Sequence, residues 1–155
     1  LTEGGIRVPW IAHWPQVIRA GGRSAQPCMT MDWTATLLDL ADALPERDMP
    51  LDGVSLRSIL TTPEMSFDRP MYWRMKHRGQ RALRAGDWKY LRVDGNDYLF
   101  NISEDERERA NLAAKEPERL VKMREAWEAW NLTMPPVPDD ATVSPGFSIK
   151  NMPQR

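Results

Sequence analysis

From Met71 onward apolar and polar positions alternate with a period of two. Met71, Trp73 and Met75 share one side of an extended stretch, Trp88 and Tyr90 one side of another, and Tyr98, Phe100 and Ile102 one side of a third. Gly79, Gly86 and Asp94-Gly95 punctuate these runs. Asp-Gly between alternating runs favours the positive φ values of a tight hairpin, so the pattern predicts a four-stranded antiparallel meander. The period then lengthens. Pro117 opens a helix at the position where a missing N–H costs nothing, and Leu120, Met123, Trp127 and Trp130 form its apolar stripe. Glu118 with Lys122 and Arg124 with Glu128 are spaced for i,i+4 pairs on its wet side. This helix is expected to cover the meander, each large apolar side chain so buried contributing roughly 1.5–3 kcal/mol.

The first half is less regular. "RVPWIAHWP", Arg7 to Pro15, is a short apolar run after Gly4-Gly5 and predicts a buried strand with Pro9 near its start. After a loop, Trp33, Leu37, Leu40 and Leu44 recur at helical spacing, with Thr30 as N-cap and Pro45 as the stop. "LDGVSLRSIL" reads as a turn at Asp52-Gly53 and a short helix capped by Ser55. The tail after Met134 is rich in proline and without period, which predicts extended or disordered chain.

Of the 155 residues 41% are apolar and 28% charged, which is the composition of a globular chain, and a net charge of -1 offers no long-range attraction to nucleic acid or an anionic membrane. No apolar run of about 18 residues is present to span a bilayer. One cysteine and two distant histidines supply neither a disulfide framework nor a thiolate or imidazole metal cage. The opening "LTEGGIRVPW" reads as the interior of a longer chain.

Few residues offer chemistry. Cys28, between Pro27 and Met29, has no neighbour that would generate a thiolate and reads as a structural thiol. His13, inside the apolar run, reads as a core or interface histidine. "SEDERERA", Ser103 to Ala110, lacks the alternating oxygen ligands and the glycine of a calcium loop. Asn101 and Asn131 begin N-glycosylation sequons too short to carry weight. "KHRGQR", Lys76 to Arg81, is different: a basic turn at the first hairpin tip can hold an anion, so Lys76, His77 and Arg78 are the candidate substrate-binding residues.

Taken in order, "EGGIRVPWIAHWP", "DWTATLLDLADA", "LDGVSL", "RALRAGDWKYL" and "LFNISEDERERANLA" resemble the C-terminal portion of a type I sulfatase of the alkaline-phosphatase-like superfamily, from Glu3 to about Trp130. The chain departs from the family's pattern at Gln16, Asp42, Asn101 and Asp105-Glu106-Arg107, all in turns and caps. The resemblance implies hydrolysis of a sulfate ester by a formylglycine, matured from Cys/Ser-x-Pro/Ala-x-Arg, with calcium held by carboxylates and an amide. It carries no catalytic or metal-binding residue onto this chain, because Cys28 is followed by Met29, Thr30, Met31 and Asp32, so that Thr30 and Asp32 stand at the Pro/Ala and Arg positions of the maturation motif.

The resulting expectation is an α/β, in detail α+β, fragment. Residues 1–68 would supply the terminal strand and helix at the edge of the large sulfatase domain. Residues 69–134 would form the small C-terminal subdomain, a four-stranded antiparallel sheet packed on a C-terminal helix, and 135–155 an extended or disordered tail. The implied parent hydrolyses a sulfated small molecule or carbohydrate, with calcium and formylglycine in the part not present here. The isolated chain is expected to be inactive and to self-associate through its N-terminal strand. Two alternatives remain open: a phosphonate or phosphodiester hydrolase of the same superfamily, and a stand-alone module binding an anionic sugar. Nothing in the residues indicates a compartment.

Overall fold

The computed structural model describes residues 1–43 and 49–141, and the chain divides into two compact units. One contains residues 9–68. The other joins residues 1–8 to the chain from Arg69 on. Leu44 and Pro45, and the tail beyond Ala141, lie outside the described residues.

The second unit is a meander of β1 (Met71–Met75), β2 (Gln80–Ala85), β3 (Trp88–Val93) and β4 (Asn96–Asn101), in that spatial order and antiparallel throughout. Its turns follow the glycines. Asp94 and Gly95 both have positive φ, 49° and 82°, as the two-residue hairpin between Val93 and Asn96 demands, and Gly86 has φ 57° between Ala85 and Trp88. The register Tyr72↔Leu83↔Tyr90↔Leu99 lines one face. There Leu83, Tyr90 and Leu99 bury against Met123 and Trp127 of the C-terminal helix (Pro117–Leu132), with Leu120 and Trp130 alongside. The predicted stripe is the one used. Trp127 also donates Nε1–H to the Trp73 carbonyl at 3.0 Å, satisfying a backbone group on edge strand β1. Burial, and then a hydrogen bond to Asp97, push the Tyr90 hydroxyl up to about 12. Arg124 ion-pairs with Asp97 at 3.5 Å and so reaches the sheet, not only its own helix as the spacing suggests.

The opposite face carries Ala82, Leu91 and Phe100, buried with Ile102, and beside them Leu1, Trp73 and Tyr98. Both sides of the sheet are therefore covered. Residues 3–6 add a single helical turn, α1 (Glu3–Ile6).

The unit of residues 9–68 contains α2 (Met31–Leu40) and α3 (Arg57–Thr61); with α1 before them, the C-terminal helix is α4. The strand expected at Arg7–Pro15 does not form: this stretch has no regular structure, and Ile11 is 89% exposed. A strand needs hydrogen-bonding neighbours, and the described residues supply none there. Helix α2 also turns a different face inward than its leucine spacing suggests. Asp32, Ala35 and Thr36 are buried, while Trp33 and Leu37 are half exposed.

The reason lies in the backbone of the following loop. Asp32 Oδ2 accepts from the Met29 N–H at 2.6 Å and Oδ1 from the Val54 N–H at 3.0 Å, while Thr36 Oγ1 accepts from the Leu56 N–H at 2.9 Å. The Thr30 side chain makes no cap bond; Asp32 serves the helix start instead. Ser55 Oγ accepts from the Arg57 N–H at 3.2 Å and donates to the Asp39 carboxylate, but the N-cap of α3 is Leu56, one position beyond the Ser55 expected there. That bond, and then Arg57, hold the Asp39 carboxyl below its ordinary range.

Candidate functional site

Met75 pairs with Gln80, which leaves Lys76 to Gly79 as the tip of the first hairpin. The tip closes as a short 3-10 turn over His77–Gly79, with Arg78 and Gly79 both at positive φ. It meets the β3–β4 turn: the Asp94 N–H donates to the Arg78 carbonyl at 2.9 Å, and Arg78 Nε donates to Asp94 Oδ2 at 2.8 Å. The hydrogen bond from Arg78 holds the Asp94 carboxyl below the usual carboxylate range, helped by the charges of Arg78 and His77. Lys76 Nζ donates to the carbonyls of Pro138 and Asp139, at 3.0 and 2.6 Å. His77 is half-buried.

The three candidate substrate-binding residues thus share one tip. An anion arriving there meets a guanidinium already held by Asp94 and an ammonium already held by two carbonyls, so it must exchange with these partners. Arg81, the last residue of the basic stretch, lies with its guanidinium carbon 4.7 Å from the centre of the Trp127 ring.

A second charged group was missed by the sequence reading. Lys89, on β3, is completely buried, and its Nζ lies 2.8 Å from Glu3 Oε1 and 2.7 Å from Glu108 Oε1. Both carboxylate side chains are nearly buried as well, 6% and 5% exposed. Glu108 Oε1 meets the ammonium outside hydrogen-bond geometry, as a charge contact, while its Oε2 accepts from the Glu3 N–H at 2.7 Å. The signal was present in the alternation: with Trp88 and Tyr90 on one face, Lys89 falls with Leu91 on the other, which places a cation in a buried row.

The remaining motif residues build turns. Asn111 Oδ1 accepts from the Leu99 and Ala113 N–H groups, both at 3.0 Å, so "Asn-Leu-Ala" extends the edge of β4. Asp105 Oδ2 accepts from the Arg109 and Ala110 N–H groups at 2.7 and 2.8 Å. Asn101 Oδ1 accepts from Ser103, and Asn131 Oδ1 from Arg74, so both sequon asparagines are engaged in the fold. His13 is exposed rather than in a core, because the strand that would have enclosed it is absent. Cys28 is half-buried.

Among the described residues no group of three or more His, Cys, Asp or Glu side chains could hold a metal ion, and no helix is long and apolar enough to cross a membrane. Calcium therefore does not fit the donor set present. Nor does Cys28, with Thr30 and Asp32 at the Pro/Ala and Arg positions of the maturation motif, fit formylglycine. No chemical step through either group is assigned to these residues.

No protein-family model matches the chain. Human steryl-sulfatase is 31% identical over 174 aligned positions, which cover 88% of this chain and 30% of that protein. Human arylsulfatase D is 42% identical over 86 positions, covering 56% of this chain and 14% of its own length. Among solved structures, Ps i-CgsB in complex with k-i-k-neocarrahexaose superposes with a TM-score of 0.63 at 28% identity over 76% of this chain and 27% of that one. A protein solved with its substrate D-glucosamine-2-N,6-O-disulfate gives 0.61 at 19% identity, a likeness of fold alone, over 77% and 27%. The chain spans less than a third of the length of each of these relatives. The ordered motifs, the four-stranded sheet under its helix and these relatives agree: the chain belongs to the sulfatase family, and corresponds to the C-terminal portion of its members.

Proposed function

We propose that this chain is the non-catalytic C-terminal part of an enzyme that hydrolyses sulfate esters. The observation that carries this reading is the match along 88% of the chain to human steryl-sulfatase, joined to a structure in which the charged motif residues are spent on holding the fold. In this reading the nucleophile, as formylglycine, and the calcium ligands belong to the rest of the parent protein. Residues 1–68 belong to the edge of its large domain, 69–134 to its small subdomain and 135–155 to a tail. The substrate is a sulfated small molecule or carbohydrate, a class supported by the carbohydrate solved with Ps i-CgsB. The exposed Trp10, Ile11 and Trp14 would join isolated copies to one another. Reading the gene in front of the codon for Leu1 tests the assignment: a Cys/Ser-x-Pro/Ala-x-Arg motif upholds it, and a stop codon or an unrelated domain favours an anionic-sugar-binding module.

The hairpin tip supplies the proposed link to substrate. Lys76, His77 and Arg78 stand on a loop braced by a rigid sheet, and a sulfate group is an anion that such donors recognise. In the longer protein, His77→Ala and Arg78→Ala are each expected to raise KM for the natural sulfated substrate about 5- to 20-fold, and KM for a small aryl sulfate less than about twofold, because a rim touches only the larger ligand. Equal effects on both substrates, or none, would return the tip to a structural role.

A further inference from the structure

We infer that Glu3, Lys89 and Glu108 form a buried ionic latch that seats residues 1–8 on the sheet.

Three observations converge. First, the ion pairs bridge distant parts of the chain: Glu3 and Lys89 are 86 residues apart, and Glu3 also gives its backbone N–H to Glu108. A buried ammonium without counter-charge is costly, so the fully buried Lys89 selects the arrangement that brings both carboxylates to it.

Second, Glu108 holds φ 54°, a left-handed conformation unfavourable for a side chain of its kind. That strain persists where surrounding contacts over-determine it, and here they are the Lys89 ammonium and the Glu3 amide.

Third, the segment's other ties are few: Leu1 packs beside the buried Leu91 and Phe100 and donates its amino group to Gln80 Oε1 at 2.6 Å. A four-residue helical turn has no stability of its own. A Cβ on Gly4 or Gly5 would meet nothing within 4 Å, so neither glycine packs against the sheet. Arg7 reaches Glu106 at 3.4 Å, but both side chains are more than half exposed, and such pairs contribute little. Of the Glu-Gly-Gly motif, the glutamate alone makes the polar attachment to the sheet unit among the described residues.

The test is hydrogen exchange on the whole 155-residue chain. Glu3→Gln leaves Lys89 paired with Glu108 and removes one arm of the latch. The Glu3, Gly5, Ile6 and Arg7 positions, whose amides are hydrogen-bonded at this turn, are expected to exchange about 10- to 100-fold faster, with Leu83, Tyr90 and Leu99 changed less than about threefold. Arg7→Ala should leave both sets within about twofold. Unchanged exchange in Glu3→Gln, equal acceleration in both sets, or an Arg7→Ala effect as large would overturn the latch.

Discussion

Replacing Lys89 with methionine is expected to destabilise the sheet unit by about 3–5 kcal/mol, the cost of leaving buried charge unpaired. The site would then hold two carboxylates, 6% and 5% exposed, facing one another with no cation between them. Replacing all three residues together, Glu3→Leu, Lys89→Met and Glu108→Leu, is expected to return stability to within about 1 kcal/mol of the starting protein or above it, because well-packed apolar side chains often match a buried ion cluster. Denaturant-dependent exchange at Leu83, Tyr90 and Leu99, in the core of the sheet unit, reads both variants. A single variant as stable as the parent would show that Lys89 is not confined among these charges. A triple variant as damaged as the single one would show that shape rather than charge is at stake.

The second large effect is expected at Gly53, where two accounts predict opposite signs. If this glycine merely marks a turn, its φ is not in the left-handed region, and Gly53→Ala should stabilise by about 0.4–1 kcal/mol through the unfolded chain. The structure gives a different reason for it. A Cβ there would lie 2.2 Å from the Met31 carbonyl oxygen and 2.8 Å from the Asp32 nitrogen, which are backbone atoms that cannot rotate aside. Gly53→Ala should therefore cost at least about 1–3 kcal/mol, the range for overpacking, by forcing the loop off the helix. The lost bonds would be those from Val54 to Asp32 and from Leu56 to Thr36, so exchange at these two amides is the measurement. Slower exchange there would favour the turn account.

These two positions show where sequence reading succeeds and where it stops. The meander and its covering helix were legible because each rests on local periodicity: alternate residues on a pleated strand, and every third or fourth on a helix. Leu83, Tyr90 and Leu99 meet Met123 and Trp127 as those patterns imply. The strand at Arg7–Pro15 was not legible as absent, since its apolar run carries the pattern of a strand while pairing depends on neighbours that no local rule supplies.

Helix α2 misleads for a related reason. Its leucines mark the apolar face, but the buried face is the one that serves loop backbone groups with Asp32 and Thr36. Buried backbone N–H groups must be satisfied, and a side chain that does so can outrank an apolar stripe. Asp42 illustrates the finer scale. It stands at a departure from the family's pattern, and its φ of 51° is a conformation that glycine adopts without strain.

The charged residues divide in the same way. The basic tip Lys76 to Arg78 could be found from composition, because a cluster of one sign in a turn is a local signal. The latch could not, since its three members come from an N-terminal turn, a strand interior and a loop. Its one local trace was Lys89 on the same buried face as Leu91, paired across the sheet with Phe100.

The central claim is that these motifs hold a fold together while the chemistry belongs elsewhere in the parent protein. Turnover of an aryl sulfate tests it most directly, measured on the purified 155-residue chain and on the longer gene product side by side. The account predicts no turnover by the chain and sulfate release by the longer protein. Sulfate release by the chain alone, or none by a longer product that carries the Cys/Ser-x-Pro/Ala-x-Arg motif with its formylglycine formed, would contradict it.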